Sequence, residues 1–365
     1  MLPSKDIDEC EVLTEQLAQV ASELRQLASE DSSDALAPSE NTPRWRIREA
    51  VDPTQLTTFG LGVAQPLVIE PADLTSLSYL LGLLDRSRVP WRVIGAGSNL
   101  ILPDTPIEAV LIRFGRSFAG YHSLPLEDDA PTLSSLFAAG TATSDLTPPA
   151  EASVVRLLVG AGAPLMGLSR RTAHAGLSGL EFAAGIPGTL GGAVKMNAGA
   201  HGHALSEIVR AAHVMDVDGT CSRLDASELA FGYRRSNIAD DQLVVAAELE
   251  LKRASIADIQ HERTRCLEYR RSTQPLSAPS AGSVFRNPIA KPGESETQAA
   301  AALLEQVGVK GLVRGTVQYS ELHSNWLVRA APQGRAEDAH ELIRMGQERV
   351  LDRFGIKLVP EIILW

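Results

Sequence analysis

The sequence predicts an α+β protein: two successive units of mixed strand and helix, followed by a third α+β unit. Three observations carry that prediction. Apolar residues switch several times between alternating and helical spacing. Each of the first two units sets a glycine-rich loop beside strand-like sequence, Gly95-Ala-Gly-Ser-Asn99 in one and Gly185 to Gly202 in the other. From about residue 256 onward, two further helical patterns precede a closing apolar strand.

The elements follow in order. Residues 8–30 predict an amphipathic helix, because Leu13, Leu17, Val20, Leu24 and Leu27 recur at spacings of four and three. Two heptads are too few for a coiled coil, so the helix is expected to pack on the body or to associate weakly. Asp31 to Pro43 is rich in Ser, Asp and Pro and reads as a linker. Leu67-Val-Ile-Glu is strand-like, Leu74, Leu77, Leu81 and Leu84 mark one helical face, and Trp91 to Ile94 and Ala109 to Arg113 are strands. Residues 119–153, rich in Ala, Ser, Pro and acid, predict an inserted surface loop or hairpin. Val154 to Gly160 is a strand, and Leu165 to Ala175 a helix that Gly176 can cap. Strands follow at Val209 to Val217, Cys221 to Leu224 and Gln242 to Leu251, the first pair joined by an Asp218-Gly219 turn. Residues 255–271, 297–307 and 336–353 predict helices, and Val359 to Leu364 a last strand.

Composition narrows the function classes. Apolar content of 44% and charged content of 22% suit a soluble globular enzyme. A net charge of −11 argues against a nucleic-acid groove. No apolar run is long enough to span a bilayer. Met1 to Cys10 is acidic and lacks an apolar core, so no secretory signal is expected. Cys10, Cys221 and Cys266 are far apart, which predicts neither a disulfide framework nor a metal site and fits a reducing cytoplasm.

Four constellations carry chemistry. Six of the eighteen residues from Gly185 to Gly202 are glycine, against 29 in the whole chain. Glycine loses the most backbone entropy on ordering, so such a run needs positive-φ turns or close backbone approach to a ligand. A large phosphate-bearing cofactor satisfies the second requirement; a tightly packed structural crossover is the alternative. Gly95 to Asn99 follows a strand, but a dinucleotide fingerprint of the Rossmann kind needs glycine at position 100, where leucine stands. Two glycine loops from two α+β units together suggest a long cofactor held between them. Phe231-Gly-Tyr-Arg-Arg-Ser236 offers a guanidinium for an anionic substrate or a developing enolate, or else a solvated strand end. Ser280-Ala-Gly-Ser-Val-Phe-Arg-Asn-Pro288 presents Ser283 on a turn, as a proton donor, a ligand contact or a plain turn serine; no Gly-x-Ser-x-Gly elbow is present. Glu361 enters the apolar Ile-Ile-Leu-Trp end, either as an exposed strand edge or as a tuned acid or partner for an arginine.

These motifs, in this order from about Thr57 to Glu361, resemble the UDP-N-acetylenolpyruvoylglucosamine reductase (MurB) family. The resemblance rests on Thr57-Thr-Phe, Gly95-Ala-Gly-Ser-Asn, Gly179-Leu-Glu-Phe-Ala-Ala-Gly-Ile-Pro-Gly, Gly191-Gly-Ala-Val-Lys-Met-Asn-Ala-Gly, Phe231-Gly-Tyr-Arg-Arg-Ser, Gln274-Pro, Ala281-Gly-Ser-Val-Phe-Arg-Asn-Pro and His323-Ser-Asn. It implies a two-subdomain FAD-binding fold of the vanillyl-alcohol-oxidase (PCMH) type plus a C-terminal α+β substrate-binding domain. The expected division is 1–43 N-terminal helix and linker, 44–118 and 154–255 FAD-binding subdomains, 119–153 insertion, and 256–365 substrate-binding domain.

The resemblance further implies noncovalent FAD and NADPH as co-substrate. The implied reaction reduces UDP-N-acetylglucosamine enolpyruvate to UDP-N-acetylmuramate for peptidoglycan synthesis, by hydride transfer to C3 and protonation at C2. No metal, nucleic acid or membrane is involved, and a cytoplasmic monomer is expected. By motif, Ser283 protonates C2, and Arg234 and Glu361 stabilise the enolate-like intermediate. Gly95, Ala96, Gly97, Ser98, Asn99, Gly185, Gly188, Thr189, Gly191, Gly192, Asn197 and Gly199 would hold FAD. Tyr233, Arg271, Gln274, Asn287 and His323 would contact the substrate. Thr273 stands where lysine is common, His201 where tyrosine is usual, and Arg329 where asparagine is usual. The short 252–275 stretch resembles the branch without an extra substrate-covering loop.

Overall fold

The strand-helix-strand alternation after residue 66 assembles a four-stranded sheet in the order Trp45–Arg48, Leu67–Pro71, Val110–Arg113, Trp91–Ile94. Its last three strands are parallel, and Trp45–Arg48 pairs antiparallel at the edge. The computed structural model describes residues 4–30, 43–62, 64, 66–124, 133–137, 146, 152–289 and 298–365. These fall into two compact units. The first comprises the described residues within Met1–Glu49, Pro66–Gly95 and Glu108–Leu267, and the second those within Ala50–Gln65, Ala96–Ile107 and Glu268–Trp365.

In the first unit a larger, antiparallel sheet runs Cys221–Asp225, Val209–Met215, Leu243–Arg253, Val154–Gly160, Tyr121–Leu124. Its central strands feed cores on both faces, because successive side chains point to opposite sides. Val155, Leu157 and Val159 enter one core with the Leu165–His174 helix, while Leu158 points into another with the Leu74–Arg86 helix. Along Leu243–Arg253 the alternation slips where the register skips Val245, and a β-bulge there sends Val245 and Ala246 to the same core. The N-terminal helix, Ser4–Glu30, packs on this unit: Val20 and Leu24 are fully buried, and Trp45 Nε1 donates to Leu24 O at 2.9 Å. Packing on the body is therefore the outcome of its leucine stripe.

The 119–153 segment is more than a surface loop. Tyr121–Leu124 adds an antiparallel strand to Val154–Gly160, and Leu136, Phe137 and Leu146 are buried. Most of the remainder of that insertion, and the linker at 31–42, lie outside the described residues.

The second unit is assembled from three separated stretches. Leu100–Ile101 pairs in parallel with Ile363–Leu364. Asp104 accepts from Ala336 N and Glu337 N, both at 3.0 Å, and so caps the Ala336–Phe354 helix. That helix ends at Gly355 in the left-handed conformation (φ 65°). Residues 50–65 and 96–107, adjacent in sequence to the first sheet, thus fold with the C-terminal unit because their partners are there. The core gathers Phe59, Leu61 and Ile101 with Val284, Phe285, Leu304, Tyr319 and Leu342.

An ionic network on the larger sheet predicts acid sensitivity. Arg223 Nε and Nη2 donate to Glu248 at 2.7 and 2.8 Å, and His213 Nε2 lies 2.9 Å from the same carboxylate. Hydrogen bonding from Arg223 holds the Glu248 carboxyl down at about 2, against an ordinary 4.5. A carboxylate whose folded value is depressed stabilises the fold above its unfolded value, and that stability is lost as pH falls from 4.5 through about 2. Glu248→Gln is expected to lower the neutral-pH Tm and to flatten the fall of Tm across that acid window. Thermal denaturation against pH measures it, and an unchanged acid limb would show that the network does not control acid stability.

Candidate active site

In the first unit, Gly185 (φ 92°) and Gly188 (φ 133°) adopt backbone that side-chain-bearing residues rarely reach. They carry the chain from Ala183 into the short Leu190–Lys195 helix. The run is strapped down on one side: Leu165 N donates to Gly188 O, Leu190 N to Ala163 O, and Gly191 N to Ala161 O. A Cβ on Gly191 would lie 2.8 Å from Ala161 Cβ, so that glycine exists for backbone packing. Gly192 differs: the nearest atom to its missing Cβ is Thr189 Oγ1 at 3.8 Å, which leaves room. A Cβ on Gly95 would meet the same Thr189 Oγ1 at 2.7 Å, so the two glycine loops adjoin at Thr189. Thr189 is the N-cap residue of the helix, yet its side chain makes no capping hydrogen bond. Side-chain-free backbone, an uncommitted hydroxyl and a helix start are what a phosphate-bearing cofactor needs, and these residues fit FAD.

Asn197 is differently placed. It is 6% exposed with φ 42°, its Nδ2 donates to Gly232 O at 3.0 Å, and its Oδ1 accepts from Ser206 N at 3.0 Å. Its amide thus ties the glycine run to the arginine turn. Gly199 begins a two-residue hairpin through His201 (φ 57°) and Gly202 (φ 84°), a turn that favours exactly such left-handed residues, and Gly199 itself lies against His203 O. Tyr233 is about half exposed, and Arg234 (φ 56°) sets its guanidinium 5.4 Å from the Tyr233 ring centroid.

The second unit brings several predicted residues into one ribbon. Gly97 (φ 62°) passes so close to Leu56 O that a Cβ could not be accommodated, and Thr58 N donates to Gly97 O. Asn99 Nδ2 donates to Glu361 O at 3.0 Å, and Ile363 N to Asn99 O at 2.9 Å. Glu361 N in turn donates to Val284 O at 2.8 Å. Ser283, next in the chain to Val284, forms a β-bridge with Trp326. Ser98 approaches the same turn, its carbonyl 3.8 Å from where a Gly282 Cβ would stand. Asn99, Glu361, Ser283 and the His323 segment therefore lie on adjoining segments tied by backbone hydrogen bonds and single β-bridges.

Asn325, in the quoted motif but given no role from sequence, is the clamp of this ribbon. It is 4% exposed; its Oδ1 accepts from Phe285 N at 2.9 Å and its Nδ2 donates to Phe285 O at 2.8 Å. Its backbone carbonyl accepts from Val284 N, and its N–H donates to His323 Nδ1 at 3.2 Å. Burial, then the nearby Lys310 ammonium, push the His323 imidazole below its ordinary value. Asn287 Oδ1 accepts from Ala300 N at 3.0 Å. Gln274 Oε1 is buried and has no hydrogen-bond partner among the described residues, as a group awaiting a ligand would be. Arg271 is exposed. A cavity of about 450 Å³ lies within this unit, lined by Thr54 to Gly60, Ala96, Pro279 and Arg329. Arg329 Nη1 donates to Gly60 O at 2.9 Å beside it.

Comparison with known proteins decides the family. The UDP-N-acetylenolpyruvoylglucosamine reductase of Anoxybacillus flavithermus is 37% identical over 308 residues, which cover 84% of this chain and 90% of that one. The enzyme of the same name from Heliobacterium modesticaldum is 37% identical over 320 residues, 87% of this chain and 90% of its own. The chain belongs to the UDP-N-acetylenolpyruvoylglucosamine reductase (MurB) family. The MurB crystal structure from Thermus caldophilus superposes with a TM-score of 0.68 at 31% identity, over 88% of this chain and all of that one.

Within this MurB-family chain, residues 66–225 match an FAD binding domain and 274–365 the C-terminal domain of UDP-N-acetylenolpyruvoylglucosamine reductase. Both glycine loops lie in the first span, and Gln274, Ser283, Asn287, His323 and Glu361 in the second. Tyr233, Arg234 and Arg271 fall in neither. The chain is thus an α+β flavoprotein of an FAD-dependent reductase family. Among the described residues, no helix is long and apolar enough to cross a membrane.

Proposed function

We propose that this chain reduces the enolpyruvyl group of UDP-N-acetylglucosamine enolpyruvate to give UDP-N-acetylmuramate, with NADPH as the source of hydride. The observation that carries the assignment of roles is the ribbon holding Ser283 and Glu361 on adjoining hydrogen-bonded segments, with Asn99 beside them. The hydride chemistry linking NADPH to C3 of the enolpyruvyl group is what FAD would supply when bound. The Gly95–Asn99 and Gly185–Gly192 backbones would hold it, with Thr189 as a side-chain donor.

Hydride addition puts negative charge on C2 and its carboxylate. Arg234 neutralises that charge with a fixed guanidinium, and Glu361 acts with it in stabilising the enolate-like intermediate. Ser283 Oγ–H gives its proton to C2, and the alkoxide is reprotonated from solvent. A hydroxyl is a weak acid, but the enolate is strongly basic, so placement matters more than matched acidity. Tyr233, Arg271, Gln274, Asn287 and His323 orient the sugar nucleotide. In this reading 44–118 and 154–255 serve FAD and 256–365 the substrate, although 50–65 and 96–107 fold with the C-terminal unit. We infer a cytoplasmic monomer; the three widely separated cysteines fit a reducing compartment.

Purified protein is expected to be yellow. NADPH should bleach the flavin absorbance under anaerobic conditions, and the enolpyruvyl sugar nucleotide should restore it. Protein that never binds FAD would overturn the reading. So would reduced flavin that oxygen reoxidises but the sugar nucleotide does not, which would point to an oxidase.

A further inference from the structure

Arg234 sits at the tip of a two-residue turn closed by Gly232 N to Arg235 O at 3.0 Å and Arg235 N to Gly232 O at 3.2 Å. Its left-handed φ of 56° is a conformation that surrounding structure must hold. That hold comes from the end of the Leu190–Lys195 helix and the residues just after it, some forty positions earlier in the chain. Asn197 Nδ2 bonds Gly232 O, and Ser236 Oγ donates to Lys195 O at 2.8 Å. The Lys195 ammonium donates to Ile238 O at 2.6 Å, Ala239 O at 2.9 Å and Asp240 Oδ1 at 3.1 Å. An ammonium has three N–H groups, and all three are used here.

We infer that Lys195 is a positioning residue for Arg234, tying the 232–240 loop to the glycine run so that one rigid piece of backbone places both the flavin and the guanidinium. The inference rests on the role given to Arg234 above. The Asp240 side chain is fully exposed, so its ion pair adds little, and the two carbonyl bonds carry the hold. The loop has other anchors: Ile238 is 4% exposed and enters the core, and Asn237 N donates to Leu229 O at 2.8 Å. Removing the ammonium therefore loosens the turn without unfolding the unit.

The test is Lys195→Met in the FAD-loaded protein, which keeps the apolar stem and deletes the charge. Reoxidation of NADPH-reduced flavin by the enolpyruvyl sugar nucleotide should slow by on the order of ten- to a hundredfold, as small misplacements of a reacting group do. FAD retention, Tm and flavin reduction by NADPH should stay at the parent level. In an Arg234→Ala background, Lys195→Met should cost nothing further, because the group it positions is gone. An undiminished loss in that background, an equal fall of both half-reactions, or no loss in the single variant overturns the inference. An Arg234→Ala variant that reoxidises at the parent rate overturns instead the reading of Arg234. Should Lys195→Met fail to fold, Ser236→Ala removes one tether of the same loop and must show the same selective, non-additive loss.

Discussion

Ser283→Ala is expected to slow the sugar-nucleotide half-reaction by about a hundred- to ten-thousandfold, the range for losing a positioned proton donor. Reduction of the flavin by NADPH should be unaffected. The substitution removes one oxygen and leaves a backbone held independently of it. Val284 and Phe285 are bonded to Asn325, Val284 O accepts from Glu361 N, and Arg286 N donates to Val359 O. The turn should therefore keep its shape, and the loss should report chemistry. Since a proton donor acts in the transition state, kcat and kcat/KM should fall together with KM nearly constant. Stopped-flow measurement of the two half-reactions decides it. Equal loss in both would mean that Ser283 is not the donor.

Arg234→Ala is expected to cost about a hundred- to a thousandfold in the same half-reaction, equivalent to roughly 2.7–4 kcal/mol of barrier for one fixed donor to developing charge. Alanine is no better suited than arginine to a φ of 56°, so the backbone strain is the same in both and Tm should change little. Arg234→Lys should recover only a fraction, because an ammonium neither spreads its charge in a plane nor rests over the Tyr233 ring in the same way. Full recovery by lysine would reduce the role of Arg234 to bulk positive charge. A loss that appears only in KM would assign it to ground-state binding of the substrate.

The two variants probe parts of the chain that were not equally legible. The glycine loops were readable because glycine density is local and has few physical causes. Even so, the structure divides the glycines by purpose: Gly191, Gly199 and Gly95 leave no room for a side chain, Gly95 against Thr189 Oγ1, whereas Gly192 has room beside Thr189. Asn197, expected to touch cofactor, spends its amide on Gly232 and Ser206. Nothing in the spacing of Asn197 and Gly232 announces a hydrogen bond across 35 residues. Asn325 was visible in a motif but silent as to role, since a side chain that imitates a β-ladder partner looks like any polar residue until its strand neighbour is known. The short strands Tyr121–Leu124 and Val317–Tyr319 were missed for a related reason: a few residues do not establish a period of two.

From sequence alone came the α+β class, the order of the main strands and helices, the glycine loops and the motif series that marks the family, because each depends on residues close together in the chain. Tertiary structure decided which stretches fold with which. It sent 50–65 and 96–107 to the C-terminal unit through the Leu100–Ile101 pairing with Ile363–Leu364 and the Asp104 cap. It also bound Lys195 to the arginine loop and Asn325 to the serine turn. Those choices rest on hydrogen bonds that backbone and buried polar groups must make with whatever partner packing brings near, and a linear pattern does not specify that partner. The glycine run, proposed above as a cofactor cradle, thereby also anchors the loop of an arginine that follows it by some forty residues.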